Sequence, residues 1–150
     1  MKRLFEIVST KPNQLWFAAE TFVLLGLVRL GLRLVPFATL QKLLSFCDRK
    51  SLLFLRKGNR SINELIWAIE VSSKYMPGGV KCLARALTTE VLMKLNGYAP
   101  ELRIGVAQGE AGKLEAHAWI ENQGKVLIGQ LHDLERFKVL PLPTREAGKQ

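Results

Sequence analysis

Cys82 and His117 are the residues of this chain whose side chains could act together in catalysis. A thiol as nucleophile and an imidazole as base are the smallest set of groups that a cysteine hydrolase needs. Apolar residues recur at helical spacing from Leu83 to Leu95, which predicts a helix with Cys82 in its first turn. Apolar residues alternate with other residues from Leu114 to Ile120, which predicts a strand carrying His117. The pattern therefore places the thiol at a helix start and the imidazole on a strand.

The chemistry that this placement favours is acyl transfer. The first turn of a helix points unpaired backbone N–H groups and the positive end of the helix dipole at a side chain there, which favours the thiolate form of Cys82. Lys81 adds positive charge if its side chain turns inward. The same N–H groups can form an oxyanion hole, and His117 can take the thiol proton and return it to the leaving amine.

The elements before Cys82 read as helices. The stretch from Leu15 to Val35 is apolar and nearly long enough to span a membrane, but it contains Glu20, Arg29 and Arg33. A charge near the middle of a span costs about 2.5 to 3.5 kcal/mol, so a long helix packed against a second one is the favoured interpretation. Docking of this leucine-rich helix on a membrane surface through Arg29 and Arg33 is the alternative.

A second helix is predicted after Thr39 and a further helix over Asn63 to Lys74, before a Pro77-Gly78-Gly79 turn. The fold class is therefore α+β, with the helix that bears Cys82 against an antiparallel sheet. The expected organisation is a helical region over 1–76, a catalytic core over 77–142 and a polar tail over 143–150. The predicted strands are Leu102 to Val106, Leu114 to Ile120, Val126 to Ile128 and Phe137 to Leu140.

Composition narrows the function classes. The net charge of +9 comes from Lys and Arg spread along the chain, without a basic block interleaved with aromatic residues, so nucleic-acid binding is disfavoured. Two cysteines form no disulfide framework and point to a reducing cytoplasm. Cys47 lies among apolar residues and is expected to be a small buried hydrophobe. Neither cysteine has metal-ligand spacing, so we expect no metal and no cofactor.

Three segments carry a resemblance to a known family: CLARAL from Cys82, GYAPELRIGV from Gly97, and AHAWIE from Ala116. In register, they resemble the leader peptidase of lasso-peptide biosynthesis, the stand-alone protease half of the split B protein. That family is similar in architecture to transglutaminases and papain-like proteases. The resemblance implies a transglutaminase-like core with Cys82 as nucleophile and His117 as general acid and base.

The resemblance also implies a reaction and its partners. Such a peptidase hydrolyses one bond of a lasso-peptide precursor and thereby exposes the α-amine of the core peptide. A small leader-binding recognition-element protein delivers the precursor, and an ATP-dependent lasso cyclase then uses the amine. The expected location is the cytoplasm, with peripheral membrane contact as the alternative.

The third catalytic residue departs from the family. The family has an Asp about a dozen residues after the His, where this chain has Gly129. A two-residue hairpin loop at Gln123-Gly124 would place Gln130 opposite His117, so its amide oxygen could orient the imidazole. Asp133 is the other candidate, if the chain curls back after the strand.

Two further residues are candidates for the substrate pocket. Trp119 shares a strand face with His117 and could cover the imidazole, although core packing explains it equally well. Arg85 could pair with a substrate carboxylate or with Glu121. Two other functions stay open: an acyltransferase that passes the acyl group from Cys82 to an amine, and a non-catalytic binding or membrane-associated module with a degenerate triad.

Overall fold

The computed structural model describes residues 12–46 and 60–141, and within them the fold is α+β, as predicted. Cys47 and the expected tail over 143–150 lie outside the described residues. The elements are four helices, four strands and two short 3-10 turns. We number the helices α1 (Pro12–Leu34), α2 (Phe37–Phe46), α3 (Ile62–Tyr75) and α4 (Cys82–Leu95), and the strands β1 (Glu101–Gln108), β2 (Leu114–Asn122), β3 (Lys125–Ile128) and β4 (Lys138–Val139).

Local signals fix the helix ends. Helix α3 begins with a capping box, in which the Ser61 hydroxyl accepts from the Glu64 N–H and the Glu64 carboxylate accepts from the Ser61 N–H. Helix α4 ends at Asn96-Gly97, where Gly97 takes a φ of 85° and the Tyr98 N–H bonds the Met93 carbonyl. These signals explain why the helix pattern was readable in the sequence.

The main core lies where α1, α3 and α4 meet one another and one face of the sheet. Leu25, Ile69 and Leu87 are fully buried there, one from each helix. From the sheet, Ala118 and Ile120 of β2 point into this core. The core therefore joins residues from both sides of the boundary expected near residue 76.

The sheet is antiparallel, with strand order β3-β2-β1-β4. Its second face carries a smaller cluster built on Ala107, Trp119 and Phe137. Since successive side chains of a strand alternate between faces, His117 and Trp119 lie on this second face, opposite the face that packs on α4. The segment from Gly129 to Phe137 supplies most of the cover over it.

Helix α1 buries one side only. By length and composition it is apolar enough to cross a membrane, and 28% of its most apolar window is buried within the protein. Its exposed side forms a stripe of large apolar residues at spacings of three, four or seven, which we call the α1 stripe: Trp16, Val23, Leu27, Leu30 and Leu34.

Candidate active site

Cys82 is the first residue of α4, as the sequence predicted. Its side chain is half-buried, forms no disulfide and packs at the edge of the main core. The N-cap residue Lys81 makes no side-chain hydrogen bond to the helix end. The first N–H groups of α4 are therefore uncapped by this side chain and face the region around the thiol.

His117 lies on β2 with its imidazole half-buried. Its Nε2 atom is 2.7 Å from the carbonyl oxygen of Gly129. A carbonyl oxygen only accepts hydrogen bonds, so Nε2 must carry the proton in this contact. The neutral ring then keeps its lone pair on Nδ1, which is the nitrogen left to act as a base.

Two aromatic rings hold the imidazole in place. Trp119 is stacked on His117 with ring centroids 6.0 Å apart, and Phe137 is tilted against it at 5.7 Å. Trp119 is only 3% exposed and donates from Nε1 to Glu121. The expected contact between Trp119 and His117 is thus present. No sequence motif indicated the second contact, between Phe137 and His117.

Gly105 makes room for this cluster. It pairs with His117 across the β1–β2 ladder, and a Cβ atom there would lie 2.9 Å from the Phe137 Cβ and 3.0 Å from the Trp119 ring. A side chain at this position would push one of the two rings off the imidazole. The small residue opposite His117 is the signal that the sequence did offer for this packing.

Neither candidate orienter contacts His117. The Gln130 amide donates to the neighbouring Leu131 carbonyl, and Asp133 pairs with Arg136 at 2.6 Å. The place expected for these side chains is taken by the Gly129 carbonyl. Position 129, where the resemblance led us to expect an Asp, thus supplies a backbone oxygen.

A bulge explains why Gln130 misses the imidazole. The predicted two-residue loop is present, with Gln123 and Gly124 both at positive φ and with Asn122 opposite Lys125. The register then shifts by one residue, so that Ile120 pairs with Ile128. Side chains beyond this point no longer follow the alternation that would place Gln130 across from His117.

Arg85 lies one turn after Cys82 and is half-buried. Its Nε atom is buried without a hydrogen-bond partner. The expected partner Glu121 instead accepts from Trp119 and pairs with Arg103 at 3.6 Å. Among the described residues, the Arg85 guanidinium therefore forms no ion pair with a carboxylate of this site.

Comparison with protein families identifies the superfamily to which the chain belongs. A family model described as the transglutaminase-like superfamily matches residues 24–141, which is most of the chain. The chain belongs to the transglutaminase-like superfamily. No curated protein and no solved structure matches the chain.

Membership in the transglutaminase-like superfamily agrees with the α+β architecture and indicates a cysteine-based peptidase or acyltransferase fold. The superfamily includes cysteine proteases and acyltransferases. Both kinds of enzyme pass through a thioester on a cysteine, which is the chemistry that Cys82 and His117 could perform. The matched range includes both residues.

Cys82 and His117 are not hydrogen-bonded to each other within the part of the chain that the structure describes. The connection from α4 to β1 is short, and β1 then returns along the sheet, so Cys82 lies toward the end of the sheet where β2 begins. His117, however, points to the face away from α4. The thiol and the imidazole meet only if the first turn of α4 and the start of β2 approach each other.

Proposed function

We propose that this transglutaminase-like protein is a cysteine peptidase that removes the leader from a lasso-peptide precursor. Cys82 is the nucleophile, and His117 is the general base and acid. The observation that carries the proposal is the bond from His117 Nε2 to the Gly129 carbonyl, because it leaves Nδ1 unprotonated and able to act as a base.

The reaction then follows in two steps. Nδ1 takes the proton of the Cys82 thiol while Sγ attacks the scissile carbonyl, and the N–H groups of the first turn of α4 stabilise the oxyanion. The leaving amine takes the proton from His117, and water hydrolyses the thioester with the same residue as base. This mechanism requires the first turn of α4 and the start of β2 to rearrange when the substrate binds, so that Sγ and Nδ1 come into contact.

The choice of substrate rests on the three motifs that resemble lasso leader peptidases. In this proposal a separate leader-binding protein presents the precursor, and a lasso cyclase consumes the released amine. The protein acts in the cytoplasm, and the α1 stripe holds it at the membrane surface.

A second candidate function is acyl transfer, in which an amine replaces water in the second step. The favoured hydrolysis and this alternative share Cys82 and the thioester, so only the products separate them. Precursor peptide and the leader-binding protein are incubated with the enzyme, and the products are identified by mass spectrometry. Free leader and free core peptide support the peptidase, whereas a new amide without free leader supports the acyltransferase.

The catalytic assignment is tested in the same assay with Cys82→Ala. We expect the cleavage rate to fall by about a thousandfold or more, as when other covalent nucleophiles are removed. Cys47→Ala removes the other cysteine and is the matched control, expected to keep full activity. Circular dichroism confirms that each variant is folded. Unchanged cleavage by folded Cys82→Ala would refute the assignment of Cys82 as the nucleophile. Absence of cleavage by the folded wild-type protein would instead support the non-catalytic binding module.

A further inference from the structure

We propose that a basic cavity beside the first turn of α4 is a carboxylate-binding subsite for an acidic side chain of the peptide substrate near the scissile bond. The inference deepens the proposed function and rests on it for the identity of the substrate. It concerns specificity, which neither the motifs nor the superfamily assigns.

The cavity has a volume of about 440 Å³ and lies between the second half of α1 and the turn before α4. Three cationic residues line it, namely Arg29, Arg33 and Lys81, and no carboxylate does. The rest of the lining is apolar or glycine. A pocket with this lining favours a ligand that carries an anionic group on an apolar chain or on a peptide.

Arg29 is fixed in the wall of the cavity. Its Nη1 atom donates to the Pro77 carbonyl, which ties α1 to the turn. Gly78 has a φ of 79°, and a Cβ atom there would lie 2.7 Å from Arg29 Nη2. Glycine at this position therefore permits the close approach of the guanidinium to the backbone.

No carboxylate among residues 12–46 and 60–141 pairs with the positive charges of the cavity. The ion pairs of the described residues use Lys94, Arg103 and Arg136, and none involves a cation of the cavity. Arg33 and Lys81 are exposed. In the free protein, water screens these positive charges and counter-ions from the solvent balance them. A substrate carboxylate can take the place of the counter-ions.

The cavity is next to the proposed nucleophile. Lys81 directly precedes Cys82, and Ala84 follows two residues later, so the wall of the cavity begins one residue from the thiol. An extended peptide advances about 3.3 to 3.6 Å per residue. A side chain within a few residues of the scissile bond can therefore reach the cavity.

The test uses two alkylating reagents that differ in charge, iodoacetate and iodoacetamide. In both reactions the Cys82 thiolate displaces iodide and forms an S–C bond, so the ratio of the two rates cancels any change in thiol ionisation. Peptide mass spectrometry separates the Cys82 adduct from the Cys47 adduct. We expect the iodoacetate-to-iodoacetamide ratio to fall about threefold in Arg33→Gln and about tenfold in Arg33→Gln/Lys81→Gln, because local charge raises the local concentration of anions.

Lys94→Gln is the control with the same change in net charge. Lys94 lies at the other end of α4, about 18 Å away at 1.5 Å per residue, and is expected to leave the ratio unchanged. An equal fall in all variants would show an effect of overall charge and overturn the proposal, as would a ratio that does not respond to Arg33→Gln.

The source of the carboxylate is tested with blocked tripeptides that protect Cys82 from iodoacetamide. Acetyl-Ala-Glu-Ala-amide should protect better than acetyl-Ala-Gln-Ala-amide, and the difference should vanish in Arg33→Gln/Lys81→Gln. Protection only by a peptide with a free carboxyl terminus would overturn the assignment to a side chain. None of these measurements needs cleavage or His117, so failure of the peptidase proposal is separable from failure of this one.

Discussion

At the scale of single residues, the proposed site differs from a Cys-His-Asp triad in the group that orients His117 and in the open contact between Cys82 and His117. A backbone carbonyl, not a carboxylate, receives the Nε2–H of His117. Hydrogen bonds to neutral oxygen are weaker than those to an anion, so the imidazolium that forms during the reaction gains less stabilisation. The tautomer is set all the same, which is what general-base catalysis by Nδ1 requires.

Gly129 is the residue at which this arrangement can be broken. It has a φ of 90°, and a Cβ atom there would lie 2.8 Å from both the Ala118 carbonyl oxygen and the Trp119 Cβ. We expect Gly129→Ala to lose about 1 to 2 kcal/mol from the left-handed backbone and about 1 to 3 kcal/mol more from this contact, measured by urea unfolding.

Gly124→Ala is the matched control for the backbone cost. Gly124 has a φ of 78° with nothing within 4 Å of the added Cβ, so it carries the conformational cost alone. Equal losses in the two variants would mean that the close approach at Gly129 contributes nothing.

The positions of Cys82 at a helix start and of His117 on a strand could be predicted from the sequence, because a helix start and an alternating strand are local patterns. The partner of His117 was not, because a backbone carbonyl leaves no mark on residue type. Phe137 reaches the imidazole only through the path of the chain after β3, which also has no local pattern.

At the scale of elements, Arg136 stabilises the segment from Gly129 to Phe137, which packs on the second face of the sheet. Its guanidinium pairs with Asp133 and with Glu115, and it lies 4.7 Å from the centre of the Phe137 ring. The hydrogen bond from Arg136 lowers the pKa of Asp133, and the bonds to Glu115 and Asp133 raise the pKa of Arg136. This cluster holds the Phe137 ring against His117.

Arg136→Gln should therefore loosen the segment and lower the free energy of unfolding only modestly, because the pairs are exposed. The pKa of Asp133 is lowered in the folded state, so the contribution is present above the ordinary carboxyl pKa and is lost as the pH falls through the lowered value. Urea unfolding should show a wild-type advantage at pH 7 that shrinks below about pH 4.

Lys125→Gln, an exposed substitution at the start of β3, should show no such dependence. If the advantage over Arg136→Gln were the same at pH 7 and pH 3, the Asp133 and Glu115 pairs would not be its source.

The β2–β3 hairpin shows where prediction from sequence ends. Its loop was predicted correctly because Gln123-Gly124 is a turn signal. The bulge after Val126 was not predicted, because residues 126–128 contain no glycine or other local signal for an extra residue. One shifted residue was enough to redirect the orienting role from Gln130 to Gly129.

At the scale of the whole molecule, the α1 stripe is the largest feature that the fold leaves unexplained. Trp16 is 68% exposed and Leu34 is 73% exposed, and the net charge of the chain is +9. An exposed apolar stripe on a helix of a strongly basic protein is the arrangement expected of a helix that lies on an anionic membrane surface.

We expect the protein to sediment with phosphatidylglycerol vesicles and to bind phosphatidylcholine vesicles much less. Leu27→Gln/Leu30→Gln should lower the vesicle partition coefficient about thirtyfold, since each loses on the order of 1 kcal/mol of apolar burial. Leu114→Gln, which is also exposed but lies on β2, is the control and should sediment like wild type. Vesicle binding that responds to salt but not to the stripe substitutions would contradict docking through the α1 stripe.

We propose that Cys82 and His117 act on the same bond, although they are not hydrogen-bonded to each other in the structure. Cross-linking with 1,3-dibromoacetone tests this directly, because its two electrophilic carbons first alkylate a thiol and then a nearby nucleophile. We expect a bridge from Cys82 to His117 in the folded protein, located by peptide mass spectrometry, and only a single-ended adduct in His117→Ala. A folded wild-type protein in which Cys82 is alkylated but never bridged to His117 would rule out a shared catalytic role.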